Sequence, residues 1–180
     1  MNDIRLENEL KHINRLKNIL DKDSILPIRF EIQKKSLDYR TFSLAITGIK
    51  SLIKNPNINS NYSAQRFNTT WNVPIGYPWT RYPNIIFVSP IPYHPHIYTS
   101  GVICWGSLSS PQPDYALADW FRFIIEFLVI NENSLMKINT NSPANHDATK
   151  WWKSNNHLLY KYITRLDMPR LRFWIDRTRG

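Results

Sequence analysis

The first segment of the chain shows a helical pattern of apolar residues. Leucine and isoleucine recur at spacings of three and four residues, at Leu6, Leu10, Ile13, Leu16 and Leu20. This spacing predicts an amphipathic helix over residues 3–20, because side chains three and four positions apart share one face. Pro27 prevents its continuation. Arg5, Lys11 and Arg15 lie off the apolar stripe, where they form either a solvated face or a surface on which a partner docks.

Four short segments then carry the pattern of β-strands. Polar and apolar residues alternate in the first three, and the fourth is continuously apolar; they cover residues 29–32, 42–46, 67–73 and 85–88. Because no helical pattern separates them, we expect an antiparallel meander. The stretch over residues 55–63 is rich in Asn and Ser and predicts a turn between the second and third strands.

Helical patterns return in the last third of the chain. Apolar residues follow a period of 3.6 over most of the circumference of residues 115–130, which predicts a central, buried helix. Shorter helices are predicted over 143–152 and 158–164. Arginine alternates with apolar residues near positions 170–175, which favours a docking strand or a packed extension.

These elements predict an α+β fold with a four-stranded antiparallel sheet, flanked by an N-terminal helix and C-terminal helices. We expect one domain over residues 1–160 and a basic C-terminal extension over 161–180. The content of hydrophobic residues, 42%, and of charged residues, 21%, is typical of a globular protein. No apolar run reaches the roughly 20 residues of a membrane span, and the early charges are unlike a secretory signal. We therefore expect a cytoplasmic protein that does not bind membranes.

The net charge is +9 at pH 7, which raises nucleic-acid binding as one function. The basic residues are, however, spread over the N-terminal helix, the middle of the chain and the tail. This distribution favours the attraction of acidic protein partners over nucleic-acid binding.

Candidate chemistry concentrates in a proline-rich region. Eight of the twelve prolines lie between residues 74 and 113, so this segment cannot be helical. A long segment without regular structure inside a compact domain is often functional, which makes it a candidate for the site. His94 and His96 lie there, within ten residues of Cys104, the single cysteine of the chain. One cysteine excludes an internal disulfide and suits a reducing compartment.

Three interpretations of these residues follow from their chemistry alone. Cys104 can be a buried structural residue, which is common for a free thiol. It can also be the nucleophile of a thiol hydrolase activated by histidine. A metal site is disfavoured, because the spacing matches no usual zinc pattern and no acidic residue lies nearby. We therefore expect no bound metal.

The same region resembles a known family. Residues 71–90, with their strand, proline segment and second strand, are similar to the corresponding part of ubiquitin-conjugating enzymes. His94-Pro95-His96 is similar to the His-Pro-Asn turn of that family and ends eight residues before Cys104, as the turn does before the catalytic cysteine. The long apolar helix and residues 141–152 resemble the later parts of the family.

The resemblance implies acyl transfer. Cys104 would accept the C-terminal carbonyl of a ubiquitin-like modifier from an activating enzyme, as a thioester, and pass it to an amine of a target protein. ATP would be used by the activating enzyme, so no cofactor is expected here. Residues next to Cys104 are uncharged, which favours an acyl carrier over a hydrolase that would destroy its own intermediate. Arg5, Lys11 and Arg15 would form the docking surface for the activating enzyme.

Two departures from the family bear on the site. The family Asn is His96 here, whose N–H could donate to an oxyanion or order the loop, or which could simply pack against the turn. We expect His94 to hold the turn through a side-chain hydrogen bond. The acidic residue that often follows the family cysteine is replaced by Gly106. Asp114 and Glu132 are the nearest candidates to orient a substrate amine.

The chain also differs from typical eukaryotic members in its strand lengths, its Trp-rich helices and its Arg-rich tail. In these respects it resembles divergent members encoded in bacterial ubiquitin-like conjugation operons, some of which serve phage defence. The alternative function is a non-catalytic binding module with the same fold. Inactive variants of that kind lack the cysteine, so the presence of Cys104 favours the enzyme.

Overall fold

The computed structural model describes residues 4–55, 60–106, 113–130, 143–159, 161 and 165–179. The helices are α1 (Ile4–Lys22), α2 (Leu117–Leu128), α3 (His146–Ser154), α4 (Asn156–Leu159) and α5 (Met168–Thr178). The strands are β1 (Arg29–Lys35), β2 (Thr41–Asn55), β3 (Ser60–Asn72) and β4 (Asn84–Ser89). No helix in these described ranges is long and apolar enough to cross a bilayer.

The four strands form one antiparallel sheet in the order β1-β2-β3-β4, which confirms the predicted meander. Leu44 of β2 pairs with Ile32 of β1 and with Thr69 of β3. The second and third strands are longer than predicted, because β2 continues to Asn55 and β3 begins at Ser60. Most of the predicted turn over 55–63 is therefore strand, and residues 56–59 lie outside the described part of the chain.

The core lies between the sheet and two helices. The apolar stripe of α1 is buried, since Leu6, Leu10, Ile13, Leu16 and Leu20 are each at most 3% exposed. Helix α2 buries residues on most of its surface, among them Trp120, Phe121 and Ile124. The predicted central helix is confirmed. Both helices pack on the face of the sheet that carries Phe42, Phe67 and Trp71.

The C-terminal segment corrects one prediction. Residues 168–178 form helix α5, so the docking strand proposed near 170–175 is wrong and the packed extension is confirmed. A six-residue window cannot separate a period of two from the i, i+4 spacing of Leu171 and Ile175, which are both buried against α1 and α2. The helix has a clear start signal, because Asp167 caps it and Pro169 lies in its first turn.

An ion pair and an indole hydrogen bond fix α5 to the end of α1. Arg170 Nε and Trp174 Nε1 both donate to Asp23 Oδ2, at 2.7 and 2.6 Å. Burial alone would raise the pKa of Asp23, but these bonds and two backbone N–H donors outweigh it and hold that pKa well below its ordinary value. The proposed boundary at residue 160 stays a prediction. Helix α5 itself packs on the core.

Candidate functional site

A short hairpin carries His96 and Cys104. The backbone N–H of Cys104 donates to the carbonyl oxygen of His96 at 2.8 Å, and Ile97 pairs with Ile103 one step further along. Residues directly opposite in an antiparallel pair place their side chains on the same face. His96 and Cys104 are such a pair, so the structure brings the imidazole and the thiol to one face.

Gly101 joins this hairpin to the sheet. Its φ of +84° is a conformation that favours glycine, and its N–H closes the turn by donating to the carbonyl of Tyr98 at 2.8 Å. Its carbonyl accepts from Phe87 N of β4 at 2.9 Å. A Cβ at this position would lie 1.9 Å from the Phe87 oxygen, so only glycine permits this close approach.

His94 holds the turn from inside. Its Nδ1 accepts a hydrogen bond from His96 N at 3.0 Å, and its ring lies edge-on to Trp152 and Phe127, with centroids 5.0 and 5.4 Å away. Burial, together with the neighbouring His96, lowers the pKa of His94 to about 3. The imidazole is therefore neutral at physiological pH, as its acceptor role requires.

Helix α3 supports the turn from the other side. Asn145 N donates to the Pro95 carbonyl at 3.0 Å, and Trp152 Nε1 donates to the Tyr93 carbonyl at 2.7 Å. The Asn145 side chain also caps α3 by accepting from Ala148 N. The sequence analysis did not single out Asn145 or Trp152 individually. An Asn just before a helix is a recognisable signal for a helix cap. No signal in the sequence predicts that Asn145 contacts Pro95.

Buried and partly exposed residues alternate along the second strand of the hairpin, and Cys104 is one of the partly exposed ones. Ile103 and Trp105 are buried, at 4% and 7% exposure, while Cys104 between them is half-buried. Trp105 packs edge-on against Trp120 and Phe127, with ring centroids 5.0 and 5.7 Å apart. Cys104 is thus flanked by side chains that pack in the core, while the residue itself is partly exposed.

His96 is half-buried, and burial lowers its pKa. Its backbone N–H and carbonyl are used by His94 and Cys104. Its imidazole makes no hydrogen bond with any described residue. A neutral imidazole carries one N–H, and no described residue accepts a hydrogen bond from it here.

Asp114 is found on the side of the molecule that carries α1. It is exposed and lines a cavity of about 470 Å³ together with Arg5, His12 and Arg179, on the α1 side of the loop before α2. Its role in orienting a substrate amine stays a prediction. Glu132 lies outside the described residues. No group of three or more His, Cys, Asp or Glu side chains in the described part is placed to hold a metal ion.

The three basic residues predicted for docking are exposed on α1, and each already has a partner within the chain. Lys11 pairs with Glu7 at 3.2 Å, and Arg15 donates to the Thr178 carbonyl at 3.4 Å. Arg5 donates to Glu9 at 2.9 Å and its guanidinium lies 5.3 Å from the ring centroid of Trp79.

Glu9 is a residue that the sequence analysis missed. Only 5% exposed, it accepts from Tyr77 OH, Leu117 N and Arg5 Nε, each at 2.9 Å. It therefore ties α1 to the proline segment and to the first turn of α2. Burial and the Glu9 charge raise the pKa of Tyr77, so its hydroxyl stays a donor at physiological pH.

A four-stranded meander with flanking helices, and a cysteine opposite the end of a His-Pro turn, define a protein of the UBC fold. Residues 24–167 match the model of the ubiquitin-conjugating enzyme family. The chain belongs to that family. It is 32% identical over 111 residues to ubiquitin-conjugating enzyme E2 14 of Arabidopsis thaliana. That alignment covers 58% of this chain and 65% of the relative, which is less than two thirds of the relative's length.

Proposed function

We propose that this protein carries a ubiquitin-like modifier as a thioester on Cys104 and transfers it to an amine of a target protein. The observation that carries the proposal is the pairing of His96 with Cys104 across a hairpin fixed by Gly101. Family membership supports it, since the His-Pro turn and the cysteine occupy the order and spacing of the family site.

The reaction needs two exchanges at one carbonyl carbon. The Cys104 sulfur bonds to the C-terminal carbonyl of the modifier, and the thiol of the activating enzyme leaves with a proton. The target amine then attacks the same carbon, the bond to Cys104 breaks, and an amide forms as the thiol is regenerated. The partners are therefore the activating enzyme, the modifier and the target. ATP is used upstream, and this chain needs no cofactor.

His96 is proposed to stabilise the oxyanion of the tetrahedral intermediate that forms when the target amine attacks the thioester. The neutral imidazole lies on the same face as the thiol, and preorganised donors of this kind act where charge develops. His94 is a positioning residue, because it is buried and bonded to His96 N. Its pKa of about 3 makes it a poor base at neutral pH, which argues against a thiol hydrolase that uses His94 as its base.

Docking of the activating enzyme is proposed on α1. Besides Arg5, Lys11 and Arg15, this side of the molecule exposes the large apolar residues Ile4 and Trp79, at 74% and 65%. Arg5 lies over the Trp79 ring and so connects the charged and apolar parts. An exposed apolar group rimmed by charge is typical of protein–protein contacts.

The cellular setting is a further part of the proposal. The free thiol supports a cytoplasmic location, where thiols stay reduced. The 15-residue β2, the Trp-rich helices and the C-terminal α5 support a place among the divergent bacterial conjugation systems, some of them antiphage. A phage-infection assay comparing wild type with Cys104→Ala would test that role.

One experiment separates this function from a non-catalytic module. With the activating enzyme, modifier and ATP, we expect a covalent adduct on this protein that thiols cleave. Cys104→Ser should give an ester that thiols do not cleave, and Cys104→Ala should give no adduct. An adduct that persists unchanged in Cys104→Ala contradicts the mechanism, and no adduct on wild type favours the binding module.

A further inference from the structure

The outward face of α5 combines arginines with aromatic rings. Phe173 is 52% exposed, although the opposite side of the helix is buried in the core. The guanidinium of Arg177 lies over its ring, 5.3 Å from the centroid, and the Trp174 ring is 4.9 Å away. Arg172 is exposed beside Phe173. We name Arg172, Phe173 and Arg177 the α5 face.

This face is held in place from beneath. Leu171 and Ile175 are buried in the core, at 0% and 1% exposure. Asp23 receives hydrogen bonds from Arg170 and Trp174 at one edge, and Arg179 pairs with Asp119 of α2 near the C-terminal end. A partner would therefore meet a preorganised surface and would lose little conformational entropy in ordering it.

Four of the arginines in and beside α5 fall into two groups. Residues 165–179 contain five arginines and two aspartates. Arg170 and Arg179 are neutralised by the partly or fully buried carboxylates Asp23 and Asp119. Arg172 and Arg177 are exposed, and neither forms an ion pair with a described residue. These two guanidinium groups are thus available to an external anion.

We propose that the α5 face binds an acidic polypeptide segment, whose carboxylates pair with Arg172 and Arg177 while an apolar side chain packs on Phe173. A guanidinium pairs with a carboxylate through two parallel hydrogen bonds, which gives direction as well as attraction. Arginine and aromatic residues are also enriched among those that dominate binding energy at protein interfaces.

Two features favour a polypeptide over a nucleic acid. A single strand needs a continuous positive track and open ring faces on which bases stack. Here exposed Asp176 interrupts the positive charge, and the guanidinium of Arg177 covers one face of Phe173. A polypeptide can place single carboxylates at Arg172 and Arg177 and avoid Asp176.

The site is independent of the thioester chemistry. The family match ends at residue 167, so α5 lies outside the matched residues. The proposal therefore concerns this chain and would stand or fall without regard to Cys104. Because all three side chains of the α5 face are exposed, they can be replaced without opening the core.

The test is a fluorescence anisotropy titration of the full chain with three labelled probes. They are a 16-residue peptide of Glu with Leu at every third or fourth position, the same peptide with Lys in place of Glu, and a 20-residue oligo-dT. We expect saturable binding of the Glu/Leu peptide only, weakening as salt rises. Arg172→Ser/Arg177→Ser should weaken it about tenfold or more, and Phe173→Ser about threefold or more.

Lys153→Ser, which removes an exposed cation from α3, is the matched control and should bind as wild type does. Arg172→Lys/Arg177→Lys keeps the charge without the paired hydrogen bonds, so its affinity should fall between wild type and the Ser variant. The proposal is overturned if the Glu/Leu peptide does not bind, if the Ser variant binds it as wild type does, or if oligo-dT binds more tightly at the same arginines.

Discussion

Cys104 N donates to the carbonyl oxygen of His96 at 2.8 Å, and this one backbone hydrogen bond sets the two residues opposite each other. Their relation depends on the hairpin and not on a contact between their side chains. Neighbouring residues fix both ends of the hairpin. His94 accepts a hydrogen bond from His96 N at one end, and Phe87 N of β4 donates to the Gly101 carbonyl at the other. The geometry of the site can therefore be disturbed without touching the thiol or the imidazole.

Gly101→Ala should disrupt the site through its backbone. The added Cβ would lie 1.9 Å from the Phe87 oxygen, at a φ of +84° that other residues rarely adopt, so the hairpin must move away from β4. We expect a loss of about 2 kcal/mol or more in the free energy of unfolding and a large loss of thioester formation. Urea denaturation and a charging assay measure the two effects.

Gly106→Ala is the matched control, because it also has a positive φ, +57°, but its added Cβ meets no described atom within 4 Å. We expect a cost of about 1 kcal/mol from the backbone alone and nearly normal charging. Equal losses in the two variants would show that close approach to Phe87 is not what fixes the hairpin.

Replacing His96 should separate the two half-reactions. If its N–H stabilises the oxyanion, His96→Ala should leave charging largely intact and slow discharge to free lysine by about 10- to 100-fold. His96→Asn restores a side-chain N–H donor and should recover part of the discharge rate. Single-turnover discharge measures both. Unchanged charging and discharge in His96→Ala would mean that this residue only packs against the turn.

The sequence was most informative where the pattern is local. The periodicity of apolar residues predicts the buried stripe of α1 and the largely apolar circumference of α2. The meander is predicted because no helical pattern separates the strands. The His94–His96 turn, its spacing to Cys104 and the candidate role of Cys104 were predicted from a family motif. The segment that forms α5 could have been a strand or a helix from its sequence. Leu171 and Ile175 are buried by packing against α1 and α2, which the local sequence does not show.

Long-range contacts explain the remaining misses. The strand pairing that extends β2 and β3 into an Asn- and Ser-rich stretch overrides local turn propensity. The bond from Asn145 to Pro95 and the burial of Glu9 join residues far apart in the chain. No pattern along the sequence records such partners, so neither contact could be predicted from it.

His94 should make stability depend on acid. Its pKa is about 3 in the folded state and near 6.5 when unfolded, so the unfolded chain binds more protons between those values. The contribution is fully present above pH 6.5 and is lost as pH falls toward 3. Between pH 6.5 and 4.5 we expect a loss of about 2 kcal/mol from this residue. Urea denaturation across this range measures it.

His94→Asn provides the control for that measurement. The Asn oxygen can still accept from His96 N two residues on, but it does not titrate. Its stability should be lower at pH 7, because the packing with Trp152 and Phe127 is lost, and should change less with pH than wild type. An equal pH dependence in both proteins would assign the effect to other groups.

Helix α5 should contribute to global stability. Leu171 is fully buried, so Leu171→Ala should lower the free energy of unfolding by about 2–5 kcal/mol. Arg172→Ala, one residue away and exposed, should change it by less than about 0.5 kcal/mol. Thermal denaturation compares them. A small effect of Leu171→Ala would mean that the extension is only loosely attached, as a separate unit after residue 160 would be.

Glu9 should matter for stability although it lies outside the cysteine site. Its carboxylate accepts hydrogen bonds from Tyr77 OH and Leu117 N. Glu9→Ala would leave Leu117 N without an acceptor, whereas Tyr77 OH could still donate to the Tyr115 carbonyl at 3.0 Å, so a cost of about 1–3 kcal/mol is expected. Glu9→Gln keeps one oxygen for these donors and loses only the pair with the partly exposed Arg5, so about 1 kcal/mol is expected. Glu7→Ala, in the same helix turn and half-exposed, should be nearly neutral. Urea denaturation of the three variants ranks them. If Glu9→Ala and Glu7→Ala are equally mild, the junction of α1, the proline segment and α2 does not depend on this carboxylate.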